Sequence, residues 1–383
     1  MTAHLTVGNG LPADDLRPSY EEAIAEGSNP ILSAPRAPSI AGSIQSLSLA
    51  DGTLAPSNLR LKHIAQHQCG MRKEVTSLTI SPQGHVAVTH EEPSCPPPST
   101  TSIYDFRNRN GSGGPRLLAN EIQDCPVIVH SADGRVNVAL ERSSAGIRRG
   151  KVREGEGKTW KATLNSITRP AALSPDGNAL AATDAQNVVL IFETVPNATG
   201  MPGKLPIKKV AAIVNHAEPT HVQFTPDGTH VVTLTRDGTV RISHAGTGRT
   251  VRRMEVDGVV TATGMGPRAL GVSPDGRVVV SVWSRAVYIW EHEAGRVSSW
   301  ELNKVRAVEG WPLAISPDCR LLACRTEDGL DISDVYSGAV LAEVQTAAGI
   351  DGLVTAAAFS SDGKILAVGR YNGMVDMWNT APF

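Results

Sequence analysis

Along most of this chain, short apolar runs alternate with compact polar turns, and no segment sustains an apolar period of 3.6 residues. Runs of four to six residues such as Val231-Val-Thr-Leu, Val278-Val-Val-Ser-Val and Ile365-Leu-Ala-Val predict buried β-strands. Others, including Thr239-Val-Arg-Ile-Ser, Val287-Tyr-Ile-Trp and Met374-Val-Asp-Met-Trp, follow after a polar turn and predict a neighbouring strand. A further strand, such as Thr250-Val-Arg-Arg-Met or Val340-Leu-Ala-Glu-Val, comes next in most units.

One turn punctuates the pattern seven times. It reads Ser81-Pro-Gln-Gly, Ser131-Ala-Asp-Gly, Ser174-Pro-Asp-Gly, Thr225-Pro-Asp-Gly, Ser273-Pro-Asp-Gly, Ser316-Pro-Asp-Cys and Ser360-Ser-Asp-Gly, at spacings of 50, 43, 51, 48, 43 and 44 residues. Pro presets φ at the first turn position, Asp bonds nearby backbone, and Gly accepts positive φ. Four strands per unit, repeated seven times, predict an all-β chain: a seven-bladed β-propeller of four-stranded antiparallel blades. The last unit stops at Phe383 after three strands, while an unassigned strand, Leu59-Arg-Leu-Lys-His-Ile-Ala, precedes the first unit. That N-terminal strand is expected to complete the last blade and close the ring, removing an open sheet edge.

Composition narrows the function. The 383 residues carry 36 Lys+Arg against 38 Asp+Glu, a formal charge of −2, which gives no general electrostatic reason to bind nucleic acid. No apolar run reaches the roughly 18 residues of a membrane span. The first ten residues have no basic start and no apolar stretch, so no secretory signal is expected. Five scattered cysteines, Cys69, Cys95, Cys125, Cys319 and Cys324, argue against a disulfide framework and for a cytoplasmic or nuclear setting. Cys319 and Cys324 bracket the start of a buried strand and read as packing residues.

The Ser-Pro-Asp-Gly turns and the strand ends Trp290-Glu291 and Trp378-Asn379 resemble the WD-repeat propellers, over residues 58 to 383. The fourth unit, Asn215-His216 to Ser243-His244, matches best. The resemblance implies a structural hydrogen-bond relay of His216, Thr235 and Asp237, left partial because Ser243 stands where the family has Trp. It also implies a non-catalytic scaffold or adaptor that docks protein partners.

Residues 1–57 are rich in Pro, Ser, Ala and Gly, carry six acids and two bases, and read as a disordered acidic tail. Within the tail, Pro18 and Tyr20 resemble the Pro-Pro-x-Tyr peptides read by WW domains, with Arg17 in place of the first Pro. The implied partner is a WW-domain ubiquitin ligase. Two insertions, Glu91 to Ser99 and Pro196 to Pro206, lengthen hairpins where partner contacts commonly lie. A basic stretch in the second unit holds Arg148 and Arg149; Ile147-Arg-Arg-Gly resembles the Phe-Arg-Arg-Gly of phosphoinositide-binding propellers, so the pair is a candidate anion site.

No serine-hydrolase elbow, phosphate loop, dinucleotide fingerprint or His-Glu-x-x-His occurs. The strands expected at the centre, such as Val222-Gln-Phe, Leu313-Ala-Ile and Ala356-Ala-Ala, are apolar and small, with few metal ligands. The chain is therefore expected not to be an enzyme and to need no metal or cofactor.

Overall fold

The computed structural model describes residues 59, 61–69, 74–82, 84–91, 99–109, 114–123, 127–130, 136–142, 148–154, 158–164, 167–194, 208–256, 266–283, 286–302, 311–346 and 349–380. The tail assigned to 1–57, with Pro18 and Tyr20, lies outside them.

These residues form seven four-stranded antiparallel sheets. Sheet VII contains β1 (Lys62–Gln68) and the last three strands of the chain. Sheet I is β2 (Glu74–Ile80), β3 (His85–Glu91), β4 (Ser99–Arg109) and β5 (Pro115–Gln123). Sheet II is β6 (Val127–His130), β7 (Val136–Arg142), β8 (Arg148–Glu154) and β9 (Lys158–Leu164). Sheet III is β10 (Ile167–Leu173), β11 (Ala179–Asp184), β12 (Val188–Glu193) and β13 (Lys208–Val214). Sheet IV is β14 (Pro219–Phe224), β15 (His230–Thr235), β16 (Thr239–His244) and β17 (Thr250–Glu255). Sheet V is β18 (Ala269–Val272), β19 (Val278–Val282), β20 (Ala286–Glu291) and β21 (Arg296–Glu301). Sheet VI is β22 (Trp311–Ile315), β23 (Leu321–Arg325), β24 (Gly329–Asp334) and β25 (Val340–Gln345). Sheet VII ends the chain with β26 (Val354–Phe359), β27 (Ile365–Arg370) and β28 (Met374–Asn379).

The first strand of each sheet packs against the first strands of the sheets before and after it, including β26 against β2. Among the described side chains the core is divided accordingly, with clusters between sheets III and IV, IV and V, V and VI, VI and VII, and VII and I. Val232, Leu234, Val240 and Ile242 of sheet IV meet Val272, Val279, Trp283 and Trp290 of sheet V. The opposite face of sheet IV, with Val222, Phe224 and Val231, meets Ile191 and Ile213 of sheet III. Sheets covered on both faces have no solvent side, so their middle strands read as continuous apolar runs.

The repeated turn folds as its residues predict. Thr225 Oγ1 donates to Asp227 Oδ1 at 2.5 Å, Asp227 Oδ1 accepts from Thr229 N–H at 3.0 Å, and Thr225 Oγ1 accepts from His230 N–H at 3.0 Å. The same arrangement recurs at Ser174/Asp176, Ser273/Asp275, Ser316/Asp318 and Ser360/Asp362. In the sixth unit Cys319 takes the left-handed conformation (φ 57°) that Gly84, Gly177, Gly228, Gly276 and Gly363 adopt in the other described turns, while its side chain is buried. The turn predicted at Ser131 lies outside the described residues.

β1 pairs with β28 from Lys62↔Asn379 to Gln68↔Met374. The strand predicted at Leu59 to Ala65 thus exists but lies three residues later. Residues 59 and 61 are described outside the ladder, and Leu59 and Leu61 pack on the cluster between sheets VI and VII.

Candidate interaction surfaces

Antiparallel order sorts the connections onto two rims. One rim carries the Ser/Thr-Pro-Asp-Gly turns and the links from third to fourth strands. The other carries the turns from second to third strands and the segments that join sheets. Gly228 lies beside Pro175 of the preceding turn, where an added Cβ would sit 3.6 Å from Pro175 Cδ, and Gly363 is placed likewise against Pro317 at 3.8 Å. Neighbouring turns therefore abut, and their carboxylates are held by local bonds. Asp227 is pulled down to about 2 by the hydroxyls of Thr225 and then Thr229.

On the second rim, a register shift at the start of several first strands turns Thr76, Thr220 and Thr355 toward neighbouring carbonyls. Thr355 Oγ1 donates to the Val75 carbonyl at 2.7 Å, joining sheet VII to sheet I. His221, on β14, donates from Nε2 to the Arg268 carbonyl at 3.0 Å, joining sheet IV to sheet V. Burial lowers its pKa to about 4, so it is a neutral structural donor at physiological pH. Exposed apolar side chains occur on this rim at Ile350 and Tyr371, and on outer strands at Leu117, Val251 and Val297.

Of the three relay residues, the structure brings two together. Thr235 Oγ1 donates to Asp237 Oδ1 at 2.5 Å, and Asp237 Oδ1 accepts from Thr239 N–H at 3.1 Å, which makes the pair a cap of the β15–β16 turn. His216 is exposed in the segment that joins sheets III and IV, and no hydrogen bond links it to either residue. Its neighbour Asn215 is buried and donates to the carbonyls of Asn187 and Ile213, both at 3.2 Å.

Arg148 and Arg149 occupy the third strand of sheet II, opposite Arg142 and Glu141 on β7 and Leu164 and Thr163 on β9. The stretch thus belongs to a ladder rather than a hairpin tip, and only its backbone pairing is described. The insertion within 92–98 links β3 to β4, that within 195–207 links β12 to β13, and both lie outside the described residues.

Cys69, Cys319 and Cys324 are free thiols, each pushed up to about 12 by burial. Cys324 sits mid-ladder opposite Pro312 and Asp331. Among the described residues no three or more His, Cys, Asp or Glu side chains are grouped to hold a metal ion, and no helix is long and apolar enough to cross a membrane.

Sequence reading missed a set of charges inside the sheets. Arg241 on β16, Asp331 on β24 and Asp376 on β28 are each the third residue of the third strand of their sheet, and all are buried. The available signal was a charged residue flanked by apolar ones in a strand that has no solvent face.

Residues 207–242 and 343–379 match the family described as WD domain, G-beta repeat. The chain carries WD repeats. Each matched WD repeat runs from the outer strand of one sheet into the first three strands of the next: β13 then β14–β16, and β25 then β26–β28. The first match contains the unit whose residues resemble the family best. No curated protein matches the chain. WD repeats in general serve protein interaction, and fold alone does not name the partner.

Proposed function

We propose that residues 58–383 form one closed, seven-bladed propeller that acts as a non-catalytic docking scaffold for protein partners. The supporting observation is the way the apolar faces are used. Among the described side chains, sheets III to VII and sheet I spend them on their neighbours, β1 completes the sheet of β26–β28, and Thr355 bonds across from the last first-strand to the earliest. What remains for recognition is two rims of short turns and the outer strands, a rigid frame carrying adaptable loops. The free thiols of Cys69, Cys319 and Cys324 suit a reducing compartment, and we place the protein in the cytosol or nucleus.

Affinity capture with the full-length chain, followed by cross-linking and mass spectrometry, tests this reading. Specific proteins cross-linked to rim residues such as Lys364 or to outer-strand residues such as Lys208 are expected. Recovery of nothing above a control, together with turnover of a small substrate by the purified protein, would overturn it.

A further inference from the structure

The buried charges of sheets IV and VII sit at equivalent places and are served differently. In sheet VII, Arg370 at the end of β27 places its guanidinium 2.5 Å from Asp376, and His63 on β1 lies 3.3 Å from the same carboxylate. In sheet IV the register puts Thr235 where Arg370 stands and Arg241 where Asp376 stands. The sign of the buried charge is reversed and its ionic partner is gone.

Arg241 is 7% exposed and faces sheet III. One terminal nitrogen donates to the Val214 carbonyl at 2.8 Å, while its Nε is buried without an acceptor. Directly opposite on β15, Thr233 is fully buried and its hydroxyl is likewise without a partner. Directly opposite on β17, Arg253 brings a second guanidinium to the same face. The carboxylates within electrostatic reach are engaged elsewhere. Asp237 caps its turn, and Glu255 pairs with Arg253. Burial and then the charge of Arg253 lower the pKa of Arg241, against the opposing pull of Asp237 and Glu255. A guanidinium removed from water without an ionic partner is costly and calls for an acceptor.

We propose that Arg241, Thr233 and Arg253, between sheets III and IV, form an oxyanion site that takes a phosphate group, either free or carried on a partner's side chain. Nε–H of Arg241 and the hydroxyl of Thr233 donate to its oxygens, and Arg253 supplies the second positive charge. Guanidinium forks fit tetrahedral oxyanions through paired N–H groups. Of the two carboxylates within reach, Asp237 is held by the hydroxyl and N–H of its turn and Glu255 by Arg253, which leaves Nε–H of Arg241 to an oxyanion from outside the chain.

The test is titration of the full-length protein with inorganic phosphate at constant ionic strength, followed by calorimetry and phosphorus NMR. Saturable binding is expected in the wild type, at least tenfold weaker in Arg241→Met and severalfold weaker in Arg253→Gln. Thr233→Val removes one hydroxyl with little change of volume, so it keeps the test valid if the Met variant does not fold; at least threefold weakening is expected. Absence of saturable binding, or equal affinity in wild type and Thr233→Val, would overturn the proposal. A short phosphoserine peptide forms the second arm. Tighter binding than phosphate assigns the group to a partner's side chain, and equal binding assigns it to the free ion.

Discussion

Sheets IV and VII are built to one plan and held by different means. Sheet IV is a single stretch, Pro219 to Glu255, in which every strand follows its neighbour through a short turn. Sheet VII joins residues about 300 positions apart, because its outer strand β1 comes from near the start of the sequence. Sheet IV relies on local turn chemistry. The Thr225–Asp227 and Thr235–Asp237 caps lie within it, and Gly248 lets its last turn press against the Ala212 backbone. Sheet VII has one such cap, Ser360–Asp362, and adds contacts to β1 and the segment after it. They include Asp376 with His63, the T-shaped pair of His63 and Trp378 with ring centroids 4.9 Å apart, Gln68 donating to the Asn372 carbonyl, and the Tyr104 hydroxyl donating to the Cys69 carbonyl. Distant closure is entropically expensive and is formed late, so it needs anchors that contiguous hairpins can do without.

The comparison can be broken at several points. Asp376→Ala strands the buried Arg370 and removes the partner of His63, so denaturant unfolding should show a loss of about 3–5 kcal/mol. A loss under 1 kcal/mol would mean that β1 is held by its ladder alone. Acid should weaken sheet IV through His221. Its folded pKa is about 4 against an ordinary 6.5, so the unfolded chain takes up the proton first. Stability is then complete above pH 6.5, declines between pH 6.5 and 4, and levels off below that, a total of on the order of 3 kcal/mol from this one group. His221→Asn should flatten that part of the pH–stability curve.

Gly248→Ala comes next. Its φ of +73° and the Ala212 carbonyl oxygen 2.2 Å from the added Cβ predict a loss of about 2 kcal/mol by thermal melting. An unchanged melting temperature would show that this turn yields easily. The smallest effect belongs to one turn cap. Thr225→Val removes the hydroxyl that holds Asp227 and should cost about 1 kcal/mol. The same variant should move the Asp227 carboxyl up from about 2 toward the ordinary Asp range, which carboxyl NMR would read directly.

The sequence exposed what repeats and little of what occurs once. The turns predicted at Ser174, Thr225, Ser273, Ser316 and Ser360 form with their Ser/Thr–Asp caps, because Ser/Thr, Pro, Asp and Gly each act on their own backbone and need no tertiary context. The missing strand of the last sheet was legible for an arithmetical reason: three strands at one end and one left over at the other. Its register was not, since Leu59-Arg-Leu and Ile64-Ala alternate alike and only pairing with β28 decides between them. The relay fell short at His216, which lies exposed between sheets III and IV, while Thr235 and Asp237 meet within one turn. Thr233 lies on the same face of β15 as Thr235, opposite Arg241, and nothing in its spacing marked it out. The buried charge of Arg241 escaped notice because an alternating strand suggests a wet face, and sheet IV has none.

The matched repeats are offset from the sheets by one strand, and this has an evolutionary corollary. A gene duplication or deletion that copies whole units hands every recipient sheet its edge from the unit before it. An in-frame deletion of part of a unit instead leaves incomplete sheets at the break, so loss of material should be tolerated in complete units or not at all.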